Sequence, residues 1–456
     1  MFEHENKQIQ TQIENILAKH NIPVHPFKWS WIPFSGHWGI ATSFFANASQ
    51  ELKDKQDGNV RKRAVEISQI VASDLKLPDE FEKVEAVNGY LNVYYDSAVF
   101  AKRVTDEVIS CGEGFGSQKI AGKKVMVEYS QPNTHKAFHV GHLRNMVLGS
   151  AVCDLLEFSG KPVVRANYIG DIGLHVIKWL WAYLKFHQGE SPPEEGKTRW
   201  MGALYAEAAK RIDEDPEYES EVRELFKSWD KKEADIVSLW NKTRQWSLEA
   251  FDEVYELLGI KFDKIYYESE VEESGKEIVD QLIEDGMAKD ERPEGAVIVD
   301  LDEILGTQEK FRVLVILRSD GTSLYPTKDL PLAIMKFSDF DLDRSIYVID
   351  VRQSLYMQQI YKLLELMGYA WADNCYHLAY EIVNLPGNVT IASREGTVVL
   401  LEDLISEANK RAYKIVEEKN AGLSVEMKKD IAQKVALGAI KYSLLSRDNT
   451  KVITFD

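Results

Sequence analysis

At 456 residues, 45% of them apolar and 28% charged, the chain is too long for one hydrophobic core and too balanced for a disordered or fibrous protein, so about two to four domains are expected. Its 55 basic and 73 acidic side chains give a formal charge of -18, which excludes coating of nucleic acid through bulk positive charge and leaves only a local basic groove. Cys111, Cys153 and Cys375 lie far apart with no C-x-x-C pair, which argues against a disulfide framework and a cysteine-built zinc site.

In chain order, the polar start "MFEHENKQIQTQIENILAKH" lacks the apolar centre of a signal peptide, and no run approaches the roughly 20 apolar residues of a membrane span. A cytoplasmic protein without membrane contact is the expectation. Residues 1–115 read as a small α+β domain: a helix ending near "HNIP", a second helix in "GNVRKRAVEISQIVASDL", and two strands in "EKVEAVNGYLNVYYD". Asn88-Gly89 between those strands is a strong hairpin signal. The glycine-rich "CGEGFGSQKIAGKK" reads as a linker.

From residue 123 the pattern turns to α/β. "KKVMVEYS" is a buried-type strand, and "LRNMVLGSAVCDLLEF" is a helix with Leu143, Met146, Val147, Val152, Leu155 and Leu156 on its apolar face. Ser159-Gly160 ends it, and "KPVVRANYIGD" is the next strand. This βαβ unit requires a parallel sheet. Charged helical residues 186–258 and a second, strand-containing stretch at 268–322 read as insertions, α/β character returns at "RSIYVID", and the last part is helical.

Between strand and helix lies "QPNTHKAFHVGHLRNMVLGS", with three of the chain's ten histidines: His135, His139 and His142. A loop at the C-terminal end of a parallel strand is where such sheets bind ligands. A metal is not expected, because His139 and His142 do not share a helical face and no nearby carboxylate completes a ligand set. Ser130 has no nucleophile elbow around it. A buried histidine in a tight turn accounts for one of the three. Phosphate binding fits them better: Gly141 lets backbone approach a ligand, the helix directs its first amides there, and Lys136 adds charge.

With these residues in view, "VEYSQPNTHKAFHVGHLRN" resembles the arginyl-tRNA synthetase form of the class I H-x-G-H signature. "NYIGDIGLH", "TSLYPTKDLPLA", "YVIDVRQSLYMQQIYKLLELMG" and "SREGTVVLLEDL" continue the resemblance, and "GHWGIATSFF" with "VEAVNGYLNVYY" is similar to that family's N-terminal tRNA-contacting domain. The resemblance implies a Rossmann-type catalytic domain over 116–388, preceded by the α+β domain and followed by a K-M-S-K-S-like loop and helical junction over 389–456. It implies activation of L-arginine with ATP and Mg²⁺, then transfer to tRNA(Arg), by a monomer. Lys136, His139 and His142 correspond to the catalytic signature, and Gly141, Gly170, Asp171 and Arg394 join them in binding ATP. Glu128, Asn133, Glu268, Tyr325, Asp329 and Gln353 correspond to the arginine site. A guanidinium suits carboxylates that can grip its planar fork. Plainer readings stand beside these: Asp329 as a helix cap, Glu268 as part of a solvated acidic run, Tyr325 as core, Gln353 as surface.

The sequence also departs from the family pattern. In "TIASREGTVV", Thr390 occupies the first lysine position of K-M-S-K-S and Glu395 a later one, leaving Arg394 as the positive charge. Tyr356 replaces a common histidine and Ile172 a common tryptophan. The chain stops at Asp456, where relatives continue into a helical anticodon-binding domain, so that domain is expected to be absent. Alternative readings are an arginine-adenylating paralogue with a non-tRNA acceptor and a non-catalytic RNA-binding relative.

Overall fold

The computed structural model describes residues 2–33, 36–53, 58–385, 389–390 and 399–454. It divides into two compact units, Met1–Ser117 and Gln118–Asp456. In the first, α1 (Glu3–Lys19), β1 (Ser30–Trp31), β2 (Gly39–Ser43), α2 (Phe45–Glu51), α3 (Val60–Asp74), β3 (Phe81–Val87), β4 (Tyr90–Tyr95) and α4 (Ser97–Cys111) follow in order. The strands form an antiparallel sheet ordered β1-β2-β4-β3. Helical spacing puts Ile9, Ile13, Ile16 and Leu17 of α1 into the core with Ala64, Ile67 and Val71 of α3, while β4 alternates Leu91, Val93 and Tyr95 inward. Asn88 and Gly89 both take positive φ, 52° and 89°, the backbone a two-residue hairpin turn demands.

The second unit is built on a five-stranded parallel sheet. Its first part comprises β5 (Lys124–Glu128), α5 (Val140–Phe158), β6 (Val163–Ile169), α6 (Leu174–Phe186), α7 (Lys197–Glu214), α8 (Pro216–Asp230), α9 (Ala234–Leu258), β7 (Lys264–Tyr267) and α10 (Glu268–Glu284). Then come β8 (Lys289–Asp290), β9 (Val297–Asp300), α11 (Leu301–Leu305), β10 (Val313–Leu317), α12 (Tyr325–Asp339), β11 (Leu342–Asp350), α13 (Ser354–Leu366) and β12 (Cys375–Tyr380). The chain ends through β13 (Val383–Leu385), β14 (Val389–Thr390), α14 (Leu401–Lys419), α15 (Val425–Leu445) and β15 (Ile453–Thr454).

The sheet order is β12-β11-β5-β6-β7, every neighbouring pair parallel. Successive strands run outward from β5 to β7, and the chain then returns to place β11 on the other side of β5. The crevice at the C-terminal ends of β5 and β11 is therefore the topological switch point, where open α/β sheets hold ligands. Helices α7 to α9 enter between β6 and β7 and, with α6, enclose an aromatic core around Trp179, Trp181 and Tyr183. The strands β8, β9 and β10 form a small antiparallel sheet between α10 and α12.

Leu155 differs from its sequence reading: it stands 70% exposed. α5 is apolar on most sides, and it is buried mainly in its first half, Val140 to Gly149, with Cys153 beyond. Its partners β5, β11 and α15, rather than its own periodicity, choose the covered side. Among the described residues, no helix is long and apolar enough to cross a membrane.

Candidate active site

The loop leaving β5 is strained and held. Ser130, Gln131 and His135 all adopt positive φ, at 77°, 48° and 62°. Such backbone costs about 1–3 kcal/mol per residue and survives only where its surroundings fix it. Here each amide is gripped by a side chain from another element: Ser130 N donates to Asn145 Oδ1 at 2.6 Å, Gln131 N to Asn167 Oδ1 at 3.1 Å, and His135 N to Ser247 Oγ at 2.9 Å. Asn145 also donates to the Val348 carbonyl at 2.7 Å, joining α5 to β11.

The three histidines then part company. His135 is fully buried, its ring nitrogens 2.9 Å from Thr134 Oγ1 and 2.9 Å from Thr243 Oγ1, so it is a structural residue. Burial pushes its pKa down to about 3. His139 caps α5, its Nδ1 accepting from Gly141 N at 3.1 Å, and His142 Nδ1 accepts from His139 N at 3.2 Å. The rings lie 3.9 Å apart. An Nδ1 that accepts puts the proton of a neutral imidazole on Nε2. Burial lowers both pKa values, that of His139 to about 4, and Lys136 and the pairing of the rings depress His142 further. At neutral pH the pair thus presents two uncharged Nε2–H donors. A side chain at Gly141 would come within 2.9 Å of the His139 ring, so only glycine fits. The donors line a cavity of about 220 Å³ with Asn145, Asp350, Arg352 and Tyr380.

All six residues matched to the arginine site line one neighbouring cavity of about 610 Å³. Glu128 ends β5, Glu268 follows β7, Gln353 follows β11, and Asn133 bridges to Gly170 beyond β6. Tyr325 and Asp329 lie one turn apart at the start of α12. Gln131, Ile349 and Asp350 line both cavities, which makes them adjacent.

The electrostatics separate the three acids. Glu128 is paired with fully buried Lys336 and accepts from Gln131 Nε2 at 2.9 Å. Glu268 accepts from Lys328 Nζ at 2.7 Å; burial raises its pKa and the lysine opposes that. Asp329 has no ion pair among the described residues and accepts a hydrogen bond from the Tyr356 hydroxyl. Burial pushes its pKa up to about 7, against the pull of that hydroxyl. Of the four carboxylates lining the cavity, Glu128, Glu268 and Asp350 are paired with Lys336, Lys328 and Arg352, which leaves Asp329 as the one without a cation among the described residues. The cavity is therefore matched to a single cationic group.

Other expected nucleotide residues sit elsewhere. Asp171 does not line the histidine cavity, and its carboxylate is used inside the protein: Arg244 Nε donates at 2.7 Å, Ser269 N at 2.9 Å and Ser269 Oγ at 2.7 Å. It ties α9 to the first turn of α10 and so fixes Glu268, the neighbour of Ser269. Gly170 belongs to the larger cavity, where a Cβ would lie 2.4 Å from Asn133 Oδ1. Lys136 lines a third cavity of about 710 Å³, its ammonium 4.9 Å from the centre of the Tyr205 ring. Arg394 and Glu395 lie outside the described residues. Where the described chain resumes, Leu400 bridges to His139 and Leu401 N donates to Phe138 O at 3.1 Å.

Comparison with known proteins decides the family. The model for "tRNA synthetases class I (R), catalytic domain" matches residues 104–456. The chain belongs to this family. It is 37% identical over 377 residues to an arginine–tRNA ligase of Treponema denticola, covering 82% of this chain and 63% of that protein. A Bdellovibrio bacteriovorus arginine–tRNA ligase is 37% identical over 379 residues, with 81% and 64% covered. The chain thus spans less than two thirds of the length of these curated relatives. The arginyl-tRNA synthetase structure of Thermus thermophilus superposes with a TM-score of 0.67 at 26% identity, over 98% of this chain and 76% of that one. The resemblance and the parallel α/β fold read from sequence both agree with these matches.

Sequence reasoning passed over Lys328, Lys336 and Asn145, and treated Tyr356 only as a departure from the family pattern. Lys328 and Asn145 stand inside quoted motifs, "TKDL" and "HLRN", beside residues that were singled out. Lys336 carries no local signal, because its partner Glu128 is distant in sequence.

Proposed function

We propose that the protein activates L-arginine with ATP to arginyl-adenylate and transfers the arginyl group to tRNA(Arg). The observation that carries this reading is the single uncompensated carboxylate, Asp329, in a cavity adjoining a pair of neutral histidine donors. In this reading Asp329 grips the guanidinium, Glu268 supports it, Glu128 frames the far wall, and Tyr325, 66% exposed, covers the alkyl stem. Asn133 and Gln353 hold the amino and carboxylate end.

The arginine carboxylate attacks the α-phosphorus in line. An O–P bond forms, the bond from the α-phosphorus to its bridging oxygen breaks, and pyrophosphate leaves with that electron pair. His139 and His142 donate Nε2–H bonds to phosphate oxygens as charge develops, Gly141 admits them closely, and the first amides of α5 add their dipole. Lys136 and Arg394 supply positive charge toward the leaving group. Mg²⁺ would arrive on the phosphates, which carry it without needing a dedicated protein cage. Asp171 and Gly170 shape the wall around Glu268 and Asn133 rather than touching ATP. A terminal ribose hydroxyl of tRNA then attacks the arginyl carbonyl carbon, and AMP leaves. The reading puts the protein in the cytoplasm as a monomer.

Arginine-dependent ATP–pyrophosphate exchange, with and without tRNA(Arg), tests it alongside tRNA charging. Exchange and charging are expected. Exchange without charging would favour the paralogue with another acceptor, and arginine binding without exchange would favour a non-catalytic relative.

A further inference from the structure

Glu268 is the wall between two cavities. It lines the 610 Å³ arginine cavity and also the 710 Å³ cavity, whereas Lys328 lines only the latter. The Lys328 ammonium reaches Glu268 Oε2 at 2.7 Å from that far side. The other oxygen, Oε1, lies 3.3 Å from the place a Gly170 Cβ would occupy, beside Asn133 Oδ1 at 2.4 Å from the same point. Asn133 lines both cavities, and Gly170 lines the arginine cavity but not the 710 Å³ one, which puts Oε1 on the arginine side. Adjacent residues of α12 therefore serve opposite faces of one site, Asp329 inside the arginine cavity and Lys328 behind its wall.

We propose that Lys328 is a positioning residue for arginine recognition, holding one oxygen of Glu268 from behind so that the other faces the guanidinium in a fixed orientation. The proposal rests on the arginine-activating reading above. The Lys328 ammonium is spent on Glu268, so its effect is expected on arginine capture. Glu268 is faced by Lys328 and Asp329 of α12, by Asp171 after β6 and by Glu272 of its own helix, with Tyr168 and Tyr325 beside it. Lys328 is the one cation of that set. Without it, a buried carboxylate surrounded by other acids takes up a proton, and arginine must then compete with that proton.

The test is the KM for arginine and the kcat of tRNA-supported pyrophosphate exchange, for the wild type, Lys328→Met and Lys328→Arg. Lys328→Met should raise KM about tenfold or more, with kcat at saturating arginine within about threefold, because a lost charged hydrogen bond is read in binding. The rise should be larger at about pH 6.5 than at about pH 8.5, because lower pH favours the protonated form of a buried carboxylate that has lost its cation. Lys328→Arg keeps a cation behind Glu268 and should restore most of the affinity. An unchanged KM in Lys328→Met at both pH values overturns the proposal. A fall in kcat alone, with no pH-dependent change in KM, also overturns it in favour of a structural role. If Lys328→Met shows no cooperative melting, Lys328→Gln is read in its place with the same outcomes. Absence of arginine-dependent exchange in the wild type would instead sink the reading beneath it.

Discussion

Gly275 of α10 lies against the main-chain carbonyl of Thr327 in α12, so closely that a Cβ on Gly275 would sit 1.9 Å from that oxygen. The reason is Pro331, four residues on inside α12, which has no N–H to give that carbonyl. The unclaimed carbonyl faces the bare Cα of Gly275, and the two helices approach backbone to backbone. These helices carry Glu268 and Asp329, so one contact sets the width of the acidic cavity. Gly275→Ala should force them apart, lower stability by about 2–4 kcal/mol and weaken arginine binding. Denaturant melts and arginine titration of the variant check it; unchanged values would mean the helices close up by another route.

Asp329→Asn removes the one uncompensated charge. Arginine affinity should fall about 100-fold or more, while the ligand-free protein keeps or gains stability because no carboxylate has to ionise in a buried site. A thermal-shift series with and without arginine reads both effects. Loss of stability without loss of affinity would reassign Asp329 to a structural role through its bond with Tyr356.

The pH dependence has a definite sign. Asp329 is raised from 3.8 to about 7, so the ligand-free native state holds a proton that the unfolded chain releases. Stability without ligand therefore falls as pH rises through that window. Arginine binds the ionised form, so its affinity should fall, with proton uptake by Asp329, as pH drops below about 7. Calorimetric titration in two buffers of different ionisation heat should detect a proton released on binding at about pH 6.5 and little at about pH 8.5. Asp329→Asn should abolish that difference.

The nucleotide side predicts the reverse kinetic pattern. His142→Ala and Lys136→Ala should each lower kcat for exchange about 10²-fold or more with arginine affinity nearly intact, since these groups serve the phosphates. His135→Ala should act on stability instead, leaving Thr134 and Thr243 without their ring partner. Near-normal exchange in Lys136→Ala would remove that lysine from the mechanism.

Much of the fold follows from short-range patterns that any chain must obey. The hairpin at Asn88-Gly89, the strand-helix-strand unit around "HVGH" and the buried strand "KKVMVEYS" are legible because turn conformation and side-chain periodicity are local. The arrangement of the acids into one cavity was legible only through the resemblance, which carries spacing between motifs that no local pattern explains. The resemblance singled out His139 and His142 and left His135 aside, but the residues alone do not separate the three. His135, His139 and His142 look alike in sequence, and only the threonines at 134 and 243 and the backbone of α5 assign their ring nitrogens.

By itself the sequence determined the parallel α/β architecture, the family and the residues that meet around the switch point. Tertiary structure alone decided the charge state of the site. It paired Glu128 with Lys336 and Glu268 with Lys328, the latter across 60 residues, committed Asp171 to Arg244 and Ser269, and left Asp329 to Tyr356. The physical reason is that a carboxylate's charge depends on burial and on the nearest cation, and neither is fixed until distant helices have packed.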